Sequence, residues 1–191
     1  ITAPNMAAQE DLLVSTWEKS GVAPEKITYI ETHGTGTKLG DPIEVNAINK
    51  AFERYTKRKQ FCAVSSLKSM IGHLDQGAGI ASLLKAVLSV YHGVLPPTLH
   101  FEYPNRNIDF INSAVYVNDE CREWNEKERY CGVSAFGLSG TNCHVLLGNA
   151  PDALDGEQAQ EEVYFLPLSA RSKECLIQLV QDYHEFLQNT V

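Results

Sequence analysis

The segment THGTGT, residues 32–37, sets one imidazole, three threonine hydroxyls and two glycines in six residues. Two kinds of chemistry suit such a loop. The first is phosphate binding, but Gly34, Gly36 and Gly40 fit neither GxxxxGK[ST] nor GxGxxG. The second is carbonyl chemistry. Glycine lets the backbone approach a ligand closely, His33 can donate a hydrogen bond, and Thr35 and Thr37 can bond the amides of an extended substrate. A plainer alternative is a turn whose threonines satisfy the backbone and whose histidine is incidental.

Two other loops carry candidate groups. KSMIGHLD (68–75) holds Lys68 and His73 between an apolar strand-like run and an apolar helix-like run. A lysine at the end of a buried strand is costly unless paired or exposed. Beside an imidazole it lowers that ring's pKa and keeps it neutral. A surface lysine and a helix-start histidine near Asp75 is the bland alternative. SAFGLSGTNCHV (134–145) has Gly137 and Gly140 around a tight turn, a geometry that can aim backbone N–H groups into a cavity as an oxyanion hole. The pair Cys143–His144 is no catalytic dyad, because adjacent strand residues point to opposite faces. Cys143 is expected to be a core residue. His33 and His73 lack HxxxH or HxH partners and a nearby Cys ligand, so no metal is expected.

Elements that position these loops can be read from periodicity. NMAAQEDLLVSTWEKS (5–20) is a helix stopped by Gly21, and ITYIE (27–31) is a strand. A helix runs from Asp41, as N-cap with Pro42 at its first position, to about Tyr55. FCAVSSL (61–67) is a buried strand, KSMIGHLDQGAG a turn, and GIASLLKAVLSVYH a helix apolar nearly all round and closed by Gly93. Three prolines mark VLPPTLHFEYPNRNIDF as extended surface chain. SAVYVN, RYCGVSAF and CHVLLG are strands, the last two a hairpin around GLSGTN. A parallel α/β sheet covered on both faces follows, with all three loops after strands, where such sheets gather their sites. Residues 1–150 form one domain. Residues 151–191 form a second: an acidic linker, PDALDGEQAQEE, a short apolar strand, and an amphipathic helix with Leu176, Leu179, Val180, Tyr183, Phe186 and Leu187 on its apolar face.

Composition narrows the classes. The chain has 191 residues, 43% of them apolar and 21% charged, as in soluble globular proteins. A net charge of −8 argues against nucleic acid. Arg54, Lys57, Arg58 and Lys59 form a basic cluster that reads first as a solvated face, though it could meet an acidic partner. Five cysteines without CxxC spacing fit a reduced, cytoplasmic protein. The most apolar stretch, IASLLKAVLSV, is interrupted by Lys85 and too short to span a bilayer, so no membrane is expected.

Taken in order, ETHGTGTKLGDPIEV, SSLKSMIGHLDQGAGIASLLKAVL, HGVLPPTLHFEYPN and GVSAFGLSGTNCHVLL resemble the β-ketoacyl synthase (ketosynthase) domains of modular type I polyketide synthases. The resemblance covers residues 1 to about 150, and the remainder resembles the linker that follows such domains. It implies the C-terminal half of a thiolase-like αβαβα fold, followed by a small α/β linker, and a homodimer of the complete domain. It also implies decarboxylative Claisen condensation of an acyl thioester with a malonyl-type extender carried on the phosphopantetheine arm of an acyl carrier protein.

By position, His33 and His73 would bind the extender carbonyl, and Lys68 would support them electrostatically. Thr35 and Thr37 would bond the phosphopantetheine arm. Phe136 and Leu138 would shape the acyl pocket, and the Leu138 N–H would supply half of an oxyanion hole. Leu138 stands where related enzymes often carry a bulkier aromatic gate, which implies a roomier pocket. The family's nucleophilic cysteine lies in a DTACSS-like segment upstream, and none of the five cysteines here has that context. An N-terminal half carrying it is therefore an expected partner. A non-catalytic docking module for carrier proteins is the competing reading. A domain that only transacylates is a third, weaker one, since such domains typically lose the THGTGT histidine. Two fates fit the linker: it leads to an acyltransferase in the same chain, or it is the remnant of a system whose acyltransferase acts in trans, which the cysteine after GVSAFGLSGTN favours.

Overall fold

The first helix, α1 (Met6–Ser20), opens on Asn5, whose side chain accepts from the Ala8 N–H at 3.1 Å. It closes on Gly21, at φ 70°. The computed structural model describes residues 4–150 and 166–190. Two compact units divide the chain, Ile1–Pro151 and Asp152–Val191.

In the first unit β1 (Ile27–Glu31) is followed by α2 (Gly40–Glu53), β2 (Cys62–Ser65), the one-turn helix α3 (Lys68–Ile71) and α4 (Ala78–His92). Then come β3 (Val94–Leu95), β4 (Val115–Val117), β5 (Arg122–Glu123), β6 (Tyr130–Phe136) and β7 (Asn142–Gly148). The main sheet has the order β4–β2–β1–β6–β7. Its first four strands are mutually parallel, and β7 returns antiparallel to β6 with Ala135 opposite Cys143. β3 and β5 form a small antiparallel ribbon.

Both faces of the sheet are covered, as expected for parallel strands. On one face Leu13 and Trp17 of α1 and Ile48 and Phe52 of α2 pack with Ile30, Val64 and Val115. Trp17 and Phe52 lie 4.6 Å apart, centroid to centroid. On the other face Ala86 and Val90 of α4 pack with Tyr29, Ala63, Cys131, Val133 and Trp124. Strand alternation sends Ile30 to the first face and Tyr29 and Glu31 to the second.

Several sequence expectations change. Asp41 is not the N-cap of α2: the helix starts at Gly40, and the Asp41 carboxylate accepts from the Gly36 N–H at 3.1 Å, bracing the preceding loop. The turn 68–79 contains α3 and a short 3-10 segment, Asp75–Gly77. Segment 94–110 is not purely surface chain, since Leu95 and Ile108 are buried. Cys143 is exposed rather than in the core; β7 is an edge strand, and its alternation puts His144 inside instead.

Helix α4 turns small and polar residues to its own sheet (Ala78, Ser82, Lys85, Ala86, Ser89) and leaves Ile80, Leu84, Val87, Leu88 and Tyr91 exposed. A helix apolar on its outer face is built to be covered on both sides.

In the second unit, α5 (Lys173–Thr190) is the expected amphipathic helix, with Leu176 and Leu179 half-buried and Val180, Tyr183, Phe186 and Leu187 exposed. The acidic linker and all but the last residue of the apolar strand expected near 163–166 lie outside the described residues.

Candidate active site

All three loops leave the carboxyl ends of neighbouring strands. Segment 32–37 follows β1, Lys68 and His73 follow β2, and the 137–141 turn follows β6. The first two are stitched together. The Thr32 N–H donates to the Ser65 carbonyl at 2.9 Å, and Ser66 Oγ donates to the Gly34 carbonyl at 2.9 Å. Gly34 adopts φ 44°, and a Cβ there would meet Ser66 Cβ and Thr32 Oγ1 at 2.7 Å. Only glycine fits.

The buried carboxylate of Glu44, on α2, completes the loop. Its oxygens accept from the His33 N–H at 2.8 Å and the Gly34 N–H at 2.9 Å. Burial pushes its pKa up to about 7 despite those two donors. Glu44→Gln keeps one acceptor oxygen and leaves the second N–H unpaired. It is expected to cost about 1–3 kcal/mol, read as a lower denaturation midpoint of the complete domain.

The loops bring the two expected histidines together. The His33 and His73 rings lie 5.8 Å apart and nearly perpendicular, at 86°. Phe136 faces His33 from the end of β6 at 5.7 Å. The His33 pKa falls from 6.5 to about 4, through burial first, then the Lys68 charge and His73. Lys68 is itself half-buried, and its pKa is lowered by burial against the opposing pull of Glu44 and Glu31. His33 is therefore a neutral hydrogen-bond donor across the physiological range. His73 Nδ1 accepts from the Asp75 N–H at 2.9 Å, so the neutral ring carries its proton on Nε2.

Lys68→Met removes one of the charges that hold the His33 pKa down. The acid limb of any rate that depends on neutral His33 is then expected to move from about pH 4 toward the ordinary histidine range. A pH–rate profile with an unmoved acid limb would separate Lys68 from His33.

Thr35 and Thr37 lie with their hydroxyls 3.3 Å apart, and Thr37 Oγ1 also accepts from the Gly40 N–H. A cavity of about 830 Å³ opens beside the loop, lined in part by Thr35, Lys38, Lys68, Phe101, Tyr103 and Arg106. His33 and His73 lie outside it. Leu138 sits at the tip of the hairpin turn, 83% exposed, and the turn is closed by the Gly137 N–H donating to the Thr141 carbonyl at 2.7 Å.

Cys143 and His144 do point apart. His144 is buried, with its ring between Trp17 Nε1 at 3.1 Å and Ser134 Oγ at 3.0 Å. Cys143→Ala is expected to leave activity near wild type. A dead variant would restore the dyad.

Sequence reasoning passed over two buried charges, Glu31 and Lys85, paired at 2.7 Å under the loops. Their signal was available: each is a lone charge in an otherwise apolar element. Among the described residues no group of three or more His, Cys, Asp or Glu side chains is placed to hold a metal ion. No helix among them is long and apolar enough to cross a membrane.

Comparison with known proteins identifies the family. The family model for the β-ketoacyl synthase C-terminal domain matches residues 1–102, and that for the ketoacyl-synthetase C-terminal extension matches residues 104–190. The chain is 47% identical over 150 residues to polyketide synthase PksL of Bacillus subtilis, covering 77% of this chain and 3% of that protein. It is 42% identical over 163 residues to erythronolide synthase EryA3 of Saccharopolyspora erythraea, covering 84% and 5%. The solved ketosynthase from module 6 of the bacillaene synthase of Bacillus subtilis aligns with a TM-score of 0.77 at 39% identity, covering all of this chain and 33% of that one. Ketosynthase twelve of the Bacillus amyloliquefaciens bacillaene synthase aligns at 0.75 and 38%, covering 99% and 33%. The chain thus spans a few per cent of the curated relatives' length and a third of the ketosynthases, whose fold is thiolase-like. On the match of its whole first half, and on structural agreement along nearly its full length, the chain belongs to the β-ketoacyl synthase family, as the C-terminal half of a polyketide ketosynthase domain.

Proposed function

We propose that this chain supplies the decarboxylating half of a ketosynthase that elongates a polyketide by Claisen condensation. The observation that carries the reading is the approach of His33 and His73 from two different strand ends, 5.8 Å apart, with Lys68 among the causes of the low His33 pKa. In this reading both neutral imidazoles donate to the thioester carbonyl of a malonyl-type extender. Negative charge gathers on that oxygen as CO₂ leaves, and fixed donors stabilise it there. The resulting carbanion attacks an acyl chain held on a cysteine outside these 191 residues.

Thr35 and Thr37 would bond the phosphopantetheine arm of the acyl carrier protein. Phe136 and Leu138 would border the acyl chain, and the Leu138 N–H would serve the oxyanion of the second step. Residues 1–150 would be the ketosynthase part and 151–191 its linker, in a domain that works as a homodimer. The exposed apolar stripe of α4 (Ile80, Leu84, Val87, Leu88, Tyr91) supports the same reading. In an αβαβα body a helix of the middle layer needs a second half to cover it.

The test combines this chain with the segment that carries the cysteine. Intact mass reports acyl transfer onto that cysteine, and carrier mass reports loss of CO₂ from a malonyl carrier. Loading and decarboxylation by the mixture, but by neither part alone, are expected. Halves that associate and stay inert would favour a docking module for carrier proteins.

A further inference from the structure

Beneath the two histidine loops lies a buried polar network that takes no direct part in the chemistry. Glu31 ends β1, two residues before His33, with its side chain fully buried. Lys85 lies mid-way along α4, and its Nζ donates to Glu31 Oε2 and to Ser65 Oγ, both at 2.7 Å. The Tyr29 hydroxyl donates to the same carboxylate oxygen at 2.8 Å. The other oxygen, Oε1, accepts from the Leu67 N–H at 2.6 Å. Leu67 directly precedes Lys68.

One carboxylate therefore fastens three pieces of chain. It belongs to the strand that leads into His33. It holds the backbone at the start of the Lys68–His73 segment. Through Lys85 it is tied to the helix that follows His73. Apolar side chains would join sheet and helix as firmly, since desolvating two charges offsets most of their attraction. What the ions add is direction: each carboxylate oxygen has its own partners, so the two loops meet in a single register.

We propose that Glu31 and Lys85 are positioning residues that set the separation of His33 and His73; the inference rests on the condensing role proposed above. Neither side chain touches substrate. Their effect is on the alignment of two donors that must reach one carbonyl oxygen.

The test uses the complete ketosynthase and the double variant Glu31→Gln/Lys85→Met, which removes both charges and leaves none unpaired. Decarboxylation of a malonyl carrier is expected to lose at least about 10-fold in kcat with KM unchanged, within the roughly 10²-fold that a misplacement of about 1 Å can cost. A purely structural pair would lower the melting temperature and leave the folded enzyme's kcat at wild type, and that result overturns the inference. Should the double variant not fold, Tyr29→Phe decides. It removes one hydroxyl from Glu31 and is expected to lower kcat about 2- to 10-fold at unchanged KM, and a wild-type kcat overturns the inference. A wild-type domain that cannot decarboxylate the carrier removes the condensing role itself, and this inference with it. An active wild type beside an unaffected, folded double variant removes the inference alone.

Discussion

His33→Ala and His73→Ala are each expected to slow malonyl-carrier decarboxylation by the complete ketosynthase about 10²-fold or more, the usual loss of one oxyanion donor. In the proposed mechanism each ring supplies one N–H to the same oxygen. His33 does so as a neutral ring whose pKa is held near 4 by burial, Lys68 and His73. His73 does so from Nε2, because Nδ1 is occupied by the Asp75 N–H at 2.9 Å. Acyl transfer onto the cysteine should survive in both variants, since it uses a different oxyanion. The double variant should be little worse than either single one, because groups that act as a unit are not additive. Mass spectrometry of carrier and enzyme reads both steps in one experiment. Decarboxylation at the wild-type rate in either variant would remove that histidine from the mechanism.

Lys85→Met is expected to be strongly destabilising. It leaves the Glu31 carboxylate buried without its cation, a situation that costs about 3–5 kcal/mol. The Glu31 side chain is fully buried and that of Lys85 is 8% exposed, so solvent does little to screen the loss. Glu31→Gln/Lys85→Met should recover much of the stability, because no charge is then stranded. Denaturant unfolding of the two variants beside wild type measures the difference. A Lys85→Met protein as stable as wild type would mean that water reaches the Glu31 carboxylate in the variant.

Local pattern carried much of this protein. Alternation and β-branched residues in ITYIE, and the period of NMAAQEDLLVSTWEKS with its closing Gly21, each specify one element. The geometry of adjacent strand residues separates Cys143 from His144 without any knowledge of the fold. Four long motifs in order identify the family, and they place His33, Lys68 and His73 after consecutive strands.

Contacts between distant elements were not legible in the same way. Asp41 reads as a helix cap by local rule, yet its carboxylate turns back to Gly36 because the loop bends to meet it. Glu44 looks like an ordinary first-turn acid until α2 packs beneath the loop and aims its carboxylate at the His33 and Gly34 amides. Lys85 looks like an interruption in an apolar helix. Only the packing of α4 on the sheet shows that it sits 54 residues along the chain from a carboxylate that neutralises it.

The sequence by itself singled out the residues proposed to do the chemistry, because that choice depends on side-chain type and on position after a strand. Tertiary structure alone decided how the groups are held and charged. A buried carboxylate, a paired ammonium or a depressed imidazole pKa depends on distance and on exclusion of water, and both arise only when separate strands and helices close over the same point.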